Sequence, residues 1–146
     1  EGGVSTPLVV HWPAGIKDQG RFRKMNSHIV DIAPTLLELA GGAPSELTGH
    51  GEAPGISLLP FLNADVQIKR PPLFFHHAQK NALRHGDWKI TTIDQGEAWE
   101  LYDLSADRGE TRNLARENPA KLEEMIQLWE SQRETIVQQI RKDSVQ

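Results

Sequence analysis

Pro7-Leu8-Val9-Val10-His11-Trp12-Pro13 sets the hardest constraint on what this chain can fold into. Leu8, Val9 and Val10 are consecutive and apolar, with no in/out alternation, and proline closes the segment at both ends. A continuous apolar run bounded by turn signals reads as a strand buried on both faces. Such a strand belongs inside a helix-covered sheet and needs neighbours on either side.

The residues that follow do not supply those neighbours. Ala14 to Asn26 carries Lys17, Asp18, Gln19, Gly20, Arg21, Arg23 and Lys24, a charge run that reads as a solvated loop. In Ser27–Gly42, Ile29, Ile32, Leu36 and Leu39 recur at helical spacing, with Leu37 and Ala40 widening the stripe. Asp31 is the expected N-cap, Pro34 falls in the first turn where its missing N–H is harmless, and Gly41-Gly42 stops the helix. Residues 43–55, with Pro44, Gly49, Gly51, Pro54 and Gly55, read as an irregular surface excursion. Gly55-Ile56-Ser57-Leu58-Leu59-Pro60-Phe61-Leu62 is a compact apolar packing segment with one helical turn, and Val66 to Pro72 is a linker. One buried strand and one amphipathic helix are too little to close a core. Residues 1–69 therefore read as the last strand and helix of a larger α/β sheet, and the chain, which begins with Glu1, as cut from something longer.

Residues 70–146 are self-consistent by contrast. Leu73–His77, Asn81–Arg84, Asp87–Ile93 and Trp99–Asp103 read as short strands, with His85-Gly86 as a tight hairpin turn. Alternation in the fourth strand puts Trp99, Leu101 and Asp103 on one face. Asn118-Pro119 opens a helix that runs to about Arg141, buried along Leu122, Met125, Ile126, Trp129, Ile136, Val137 and Ile140. The fold class is α/β: the end of a large sheet, then a C-terminal α+β subdomain of a four-stranded antiparallel sheet packed on a long C-terminal helix.

Composition excludes several classes of function. A formal net charge of −4 gives no support for nucleic-acid binding, and no run of about eighteen apolar residues predicts a membrane span. Cysteine is absent, which removes disulfides and cysteine zinc sites. The six histidines, His11, His28, His50, His76, His77 and His85, include no His-Glu-x-x-His spacing. His76 and His77 are neighbours on one strand, so they point to opposite faces and do not share a metal. No Gly-x-Ser-x-Gly elbow and no glycine-rich phosphate loop occurs. From its residues alone, the chain holds no complete active site: catalytic residues none, metal ligands none.

Several segments, in order, resemble the C-terminal part of the arylsulfatase family, within the alkaline-phosphatase-like superfamily. Glu1-Gly2-Gly3…Pro7 with its apolar strand and Trp12-Pro13 is similar to the family's Glu-Gly-Gly segment. Val30-Asp31-Ile32-Ala33-Pro34-Thr35-Leu36-Leu37 and Gly55-Ile56-Ser57-Leu58-Leu59-Pro60 resemble its next two motifs. Asn81–Ile90 resembles its Ala-x-Arg-x-Gly-x-Trp-Lys hairpin, and Glu100-Leu101-Tyr102-Asp103-Leu104 with Glu110-Thr111-Arg112-Asn113-Leu114 its closing segment. The resemblance runs from Glu1 to about Trp129 and places the missing strands upstream.

It implies a sulfuric ester hydrolase acting on aryl sulfates or sulfated sugars. Its formylglycine nucleophile comes from a Cys/Ser-x-Pro/Ala-x-Arg motif, and its calcium ion is held by Asp and Asn side chains. All of these lie before the Glu-Gly-Gly segment in family order, so this chain alone is expected to be inactive and to bind neither cofactor. In the family, the strand matching Phe74–Ala78 faces the substrate entrance with a Glu-His pair. Here His77 matches the histidine, while His76 replaces the glutamate and Ala78, Gln79, Lys80 and Asn81 depart from the usual continuation. The resemblance thus implies substrate contact by His77 and, as a second candidate, Lys80, with Arg84, Asp87, Trp88 and Lys89 as hairpin structure. The implied partners are the remainder of the same sulfatase chain and a sulfated small molecule or glycan, with neither nucleic acid nor membrane. Export to a periplasmic, extracellular or lysosomal compartment follows from the family, and self-association of the isolated chain from its exposed strand. A phosphonate or phosphate monoester hydrolase of the same superfamily, or a non-catalytic binding module, are the alternatives.

Overall fold

The computed structural model describes residues 3–43, 55–66, 69–94 and 98–143. They divide into two compact units, one of Pro7–Arg70 and one of Pro71–Gln146 together with Glu1–Thr6.

In the Pro7–Arg70 unit the order is set by one carboxylate. A single 3-10 turn, Ile29–Asp31, leads directly into α1, Ile32–Leu39. Asp31 stands at the N-cap position of α1, but its side chain does not cap that helix. The carboxylate is fully buried and accepts instead from the His28 amide at 2.7 Å and the Ile56 amide at 3.0 Å. Arg70 donates to both of its oxygens, at 2.9 and 3.3 Å, and also to the Asn26 carbonyl at 2.6 Å. A buried charge is tolerable when it is paired and fully hydrogen-bonded, and a guanidinium fork on a carboxylate provides both. Thr35 extends the arrangement: its hydroxyl donates to the Asp31 carbonyl at 2.6 Å and accepts from the Leu58 amide at 2.8 Å. Gly55 lies so close to the Val30 carbonyl that a Cβ there would collide with it, which is why glycine opens the Ile56–Leu62 segment. That segment buries Leu58 and Phe61 around its single 3-10 turn, Leu59–Phe61. The excursion expected over 43–55 lies outside the described residues, except for Ala43 and Gly55.

Two expectations for this unit change, and the apolar run is exposed as the upstream placement of its partner strands implies. Leu8, Val9 and Val10 form no ladder among the described residues and are exposed, because no neighbouring strand is present to cover them. The apolar stripe of α1 likewise faces outward at Ile29, Ile32, Leu36 and Leu39, while Pro34 and Thr35 form the buried side. The charged loop is tied down rather than simply solvated: Arg23 donates to Asp18 at 2.9 Å and to the Phe61 carbonyl at 3.1 Å. Asn63 grips the same loop at Gly15 and Lys17.

The second unit is an antiparallel meander in the order β1 (Leu73–His77), β2 (Lys80–His85), β3 (Trp88–Thr92) and β4 (Glu100–Asp103). A helix follows, α2, Pro119–Asp143. Alternation directs Phe74, Leu83, Ile90 and Leu101 to the face that α2 covers with Met125 and Trp129. Trp129 stacks on Phe74 (centroids 5.6 Å apart, planes at 21°) and meets Trp99 edge-on at 5.3 Å. The burial of α2 is shorter than its sequence stripe: Ile136 and Ile140 are exposed, since the helix outruns the sheet beyond Gln132, which donates to the Pro72 carbonyl. The β2–β3 turn is Gly86-Asp87, one residue later than expected, with Gly86 at φ 62°. Positive φ at the first central residue of a two-residue loop is the position where glycine is favoured.

The other sheet face buries Lys89 and Tyr102. Lys89 is ion-paired with Glu110, so the hairpin motif and the closing motif are bonded to each other. Asp107 organises the loop between the two halves of the closing motif, accepting from the Thr111 amide at 2.7 Å and the Arg112 amide at 2.9 Å. The Arg112 amide and then the Thr111 groups hold the Asp107 carboxyl below its ordinary 3.8. A lowered folded-state value means that this contribution is complete above 3.8 and is lost as pH falls through the lower folded value. In an NMR titration, the Thr111 and Arg112 amide shifts should move together with a midpoint below 3.8, and Asp107→Asn should abolish the transition. A midpoint at or above 3.8 would contradict the assignment.

Candidate functional site

The end of the sheet formed by the β1–β2 hairpin presents a polar ladder on one face and an exposed row on the other. β1 and β2 are joined by only two residues, Ala78 and Gln79, with His77 opposite Lys80 and His76 opposite Asn81. On the next ladder Asn81 lies opposite Thr92, which sets Ile93, one residue on, in line with Lys80. Residues directly opposite on paired strands share a face. Two rows therefore cross three strands: His76–Asn81–Thr92 on the side of α2, and His77–Lys80–Ile93 on the side turned away from it.

The first row is structural. Asn81 and Thr92 are buried, and His76 Nδ1 lies 2.6 Å from Asn81 Oδ1. The Thr92 hydroxyl is hydrogen-bonded to Asp94, which also accepts from the Ala98 amide at 3.2 Å. The Thr92 hydroxyl, and then the Ala98 amide, hold the Asp94 carboxyl below its ordinary value. These bonds fix the backbone on both sides of Ile93 and lock the register of the hairpin.

The second row is open. His77 and Lys80 are exposed, and Ile93 is 74% exposed. Together with Ala78 and Gln79 they line an open depression. Ala78 holds φ 55°, a left-handed conformation that costs an alanine about 1 kcal/mol or more. This narrow tip keeps the imidazole and the ammonium side by side, about 4.8 Å apart at the backbone. The arrangement can receive an anion at Lys80 and a hydrogen-bonding group at His77. It carries no nucleophile of its own.

Both residues singled out in the sequence thus stand together, and His76 stands apart from them with Asn81. Sequence reasoning missed Ile93. The signal was present in the numbering, since the pairing that sets Asn81 opposite Thr92 also aligns Lys80 with Ile93. Arg84 donates to the Gly86 carbonyl at 3.1 Å and Lys89 pairs with Glu110, the structural parts expected of them. Buried Tyr102 has its phenol pushed up to about 12, by burial first and by its hydrogen bond to Glu100 second, so it remains a donor at physiological pH.

Neither group implied by the family fits these residues. Calcium needs several oxygen ligands gathered around one point, and among the described residues no three His, Asp or Glu side chains converge in that way. A formylglycine needs the Cys/Ser-x-Pro/Ala-x-Arg motif, which the sequence lacks.

Comparison with known proteins identifies the family of the chain. Residues 1–139 match the family model described as N-sulphoglucosamine sulphohydrolase, C-terminal. A sulfatase of Formosa agariphila is 33% identical over 83% of this chain and 24% of its own length. Arylsulfatase K of Mus musculus is 36% identical over 82% of this chain and 23% of its own. Among solved structures, BT4656 in complex with its substrate D-glucosamine-2-N,6-O-disulfate superimposes with a TM-score of 0.55 at 28% identity, covering 71% of this chain and 23% of that one. The chain spans about a quarter of the length of the curated relatives it matches.

Proposed function

The chain belongs to the N-sulphoglucosamine sulphohydrolase C-terminal family, and from that premise we propose that it is the C-terminal part of a sulfatase hydrolysing sulfate esters of sugars. The match over residues 1–139, with sulfatases as the relatives, carries this reading. Residues 1–69 close the large α/β domain and residues 70–146 form the small C-terminal subdomain. The nucleophile and calcium belong to the preceding part of the protein, and this part supplies His77 and Lys80 to the substrate's leaving group. A sulfated sugar is favoured over a simple aryl sulfate because BT4656 acts on a disulfated glucosamine and because Lys80 offers an exposed cation for a second anionic group. Export or a lysosomal location accords with the family, and no helix among the described residues is long and apolar enough to cross a membrane.

The test uses the complete protein. His77→Ala and Lys80→Ala are each expected to raise KM for a sulfated sugar about tenfold, the size of one lost charge-assisted bond, with kcat within about twofold. Both residues are exposed, so unfolding does not confound the result. Unchanged KM in both variants would overturn their assignment as substrate contacts.

The outward-facing Leu8–Val10 segment and α1 stripe are the surfaces that the preceding domain is proposed to cover. When the 146-residue chain is produced alone, these apolar groups should drive self-association. Sedimentation should show concentration-dependent oligomers, and a strictly monomeric profile would contradict this.

A further inference from the structure

Ile93 is the unexplained member of the exposed row. A β-branched apolar side chain beside a lysine and a histidine gains nothing from water, and its exposure of 74% is not a by-product of loose packing. Thr92 on one side of it is 2% exposed, and Asp94 on the other is bonded to Thr92 and Ala98. The backbone that presents Ile93 is therefore held from behind. In line with it stand Lys80 and His77, so one edge of the sheet offers, over about 10 Å, an apolar surface, an ammonium and an imidazole. Among the described residues, no hydrogen bond or ion pair engages the side chains of His77 or Lys80.

From this juxtaposition we propose that Ile93 is a specificity-determining residue, the platform for the apolar ring face of a leaving group that carries its own negative charge toward Lys80. The inference rests on the sulfatase reading given above and adds the class of leaving group. It must be amphipathic and anionic, as a sugar acid or a further sulfated sugar is and an uncharged aryl group is not. A pyranose presents C–H groups on one face and its charged substituent at the rim. Laid along the row, its ring would cover Ile93 while its anion reached the ammonium. An uncharged aryl group has no anion to reach Lys80 and is not laid along the row against Ile93.

The experiment compares the complete wild-type protein with Ile93→Ala and Ile93→Asp on two kinds of substrate. One is a panel of monosulfated uronate–hexosamine disaccharides, from which the best-hydrolysed member is taken. The other is 4-nitrophenyl sulfate. The readout is the ratio of kcat/KM on the disaccharide to kcat/KM on the aryl sulfate. Covering part of an isoleucine side chain is an effect of about fivefold, so Ile93→Ala should lower the ratio by about that factor. Ile93→Asp, which sets a carboxylate against the anionic sugar, should lower it more than tenfold. Because Ile93 is exposed, melting temperatures of the variants should match wild type, which separates a binding role from a structural one. A ratio unchanged in both variants overturns the inference and leaves the sulfatase reading intact. Wild-type hydrolysis of the aryl sulfate but of no disaccharide also overturns it. Hydrolysis of neither sulfate overturns the sulfatase reading, and the inference with it.

Discussion

Asp31→Ala is expected to destabilise the Pro7–Arg70 unit by about 3–5 kcal/mol, the usual cost of stripping one partner from a buried ion pair. The substitution leaves the Arg70 guanidinium, whose side chain is 13% exposed, without its counter-charge. It also leaves the His28 and Ile56 amides without their acceptor. Arg70→Met should cost a similar amount by stranding the carboxylate. The double variant Asp31→Ala/Arg70→Met should lose much less than the sum, because replacing both charges by apolar groups removes the desolvation cost along with the attraction. Urea denaturation of the four proteins closes the cycle. Additive losses, or single losses below about 1 kcal/mol, would show that the pair does not organise this unit.

Trp129→Ala should cost the second unit about 3–5 kcal/mol, the range for a large aromatic removed from a packed core. Trp129 joins Phe74 of β1 and Trp99 beside β4 through α2, so its loss opens the sheet–helix interface at its centre. Trp129→Phe separates packing from polarity. The indole N–H is buried and has no hydrogen-bond partner among the described residues, so phenylalanine sheds that unpaired donor while retaining most of the ring contact. It should cost only about 1–2 kcal/mol, which thermal unfolding can resolve. A Phe variant as damaged as the Ala variant would mean that the indole nitrogen is bonded after all.

The second unit was legible because its rules are local. Period-two alternation gave four strands, Gly86 marked a turn, and Asn118-Pro119 marked the start of α2 where the structure begins it. The turn still slipped by one residue, since Gly86 fits either central position until the ladder pairing His85 with Trp88 fixes the register. Asp31 was harder to read for a different reason. An aspartate just before a helix satisfies the N-cap pattern, and the choice against capping is made by Arg70, 39 residues away. The stripes on α1 and at Leu8–Val10 were read correctly as apolar, but what covers them is not decided by their own residues. The candidate site was half visible: His77 and Lys80 through family resemblance, Ile93 only through the ladder. His76, a departure from the family's glutamate in the sequence, holds Asn81 in the row behind.

The most direct measurement of the central claim is inorganic sulfate released from sulfated disaccharides, by ion chromatography, for the complete protein and for the 146-residue chain alone. Release by the complete protein and none by the chain alone, which has His77, Lys80 and Ile93 but no formylglycine motif, is the expected result. Phosphate release from a phosphate monoester in place of sulfate release, or sulfate release by the 146 residues unaided, would contradict it.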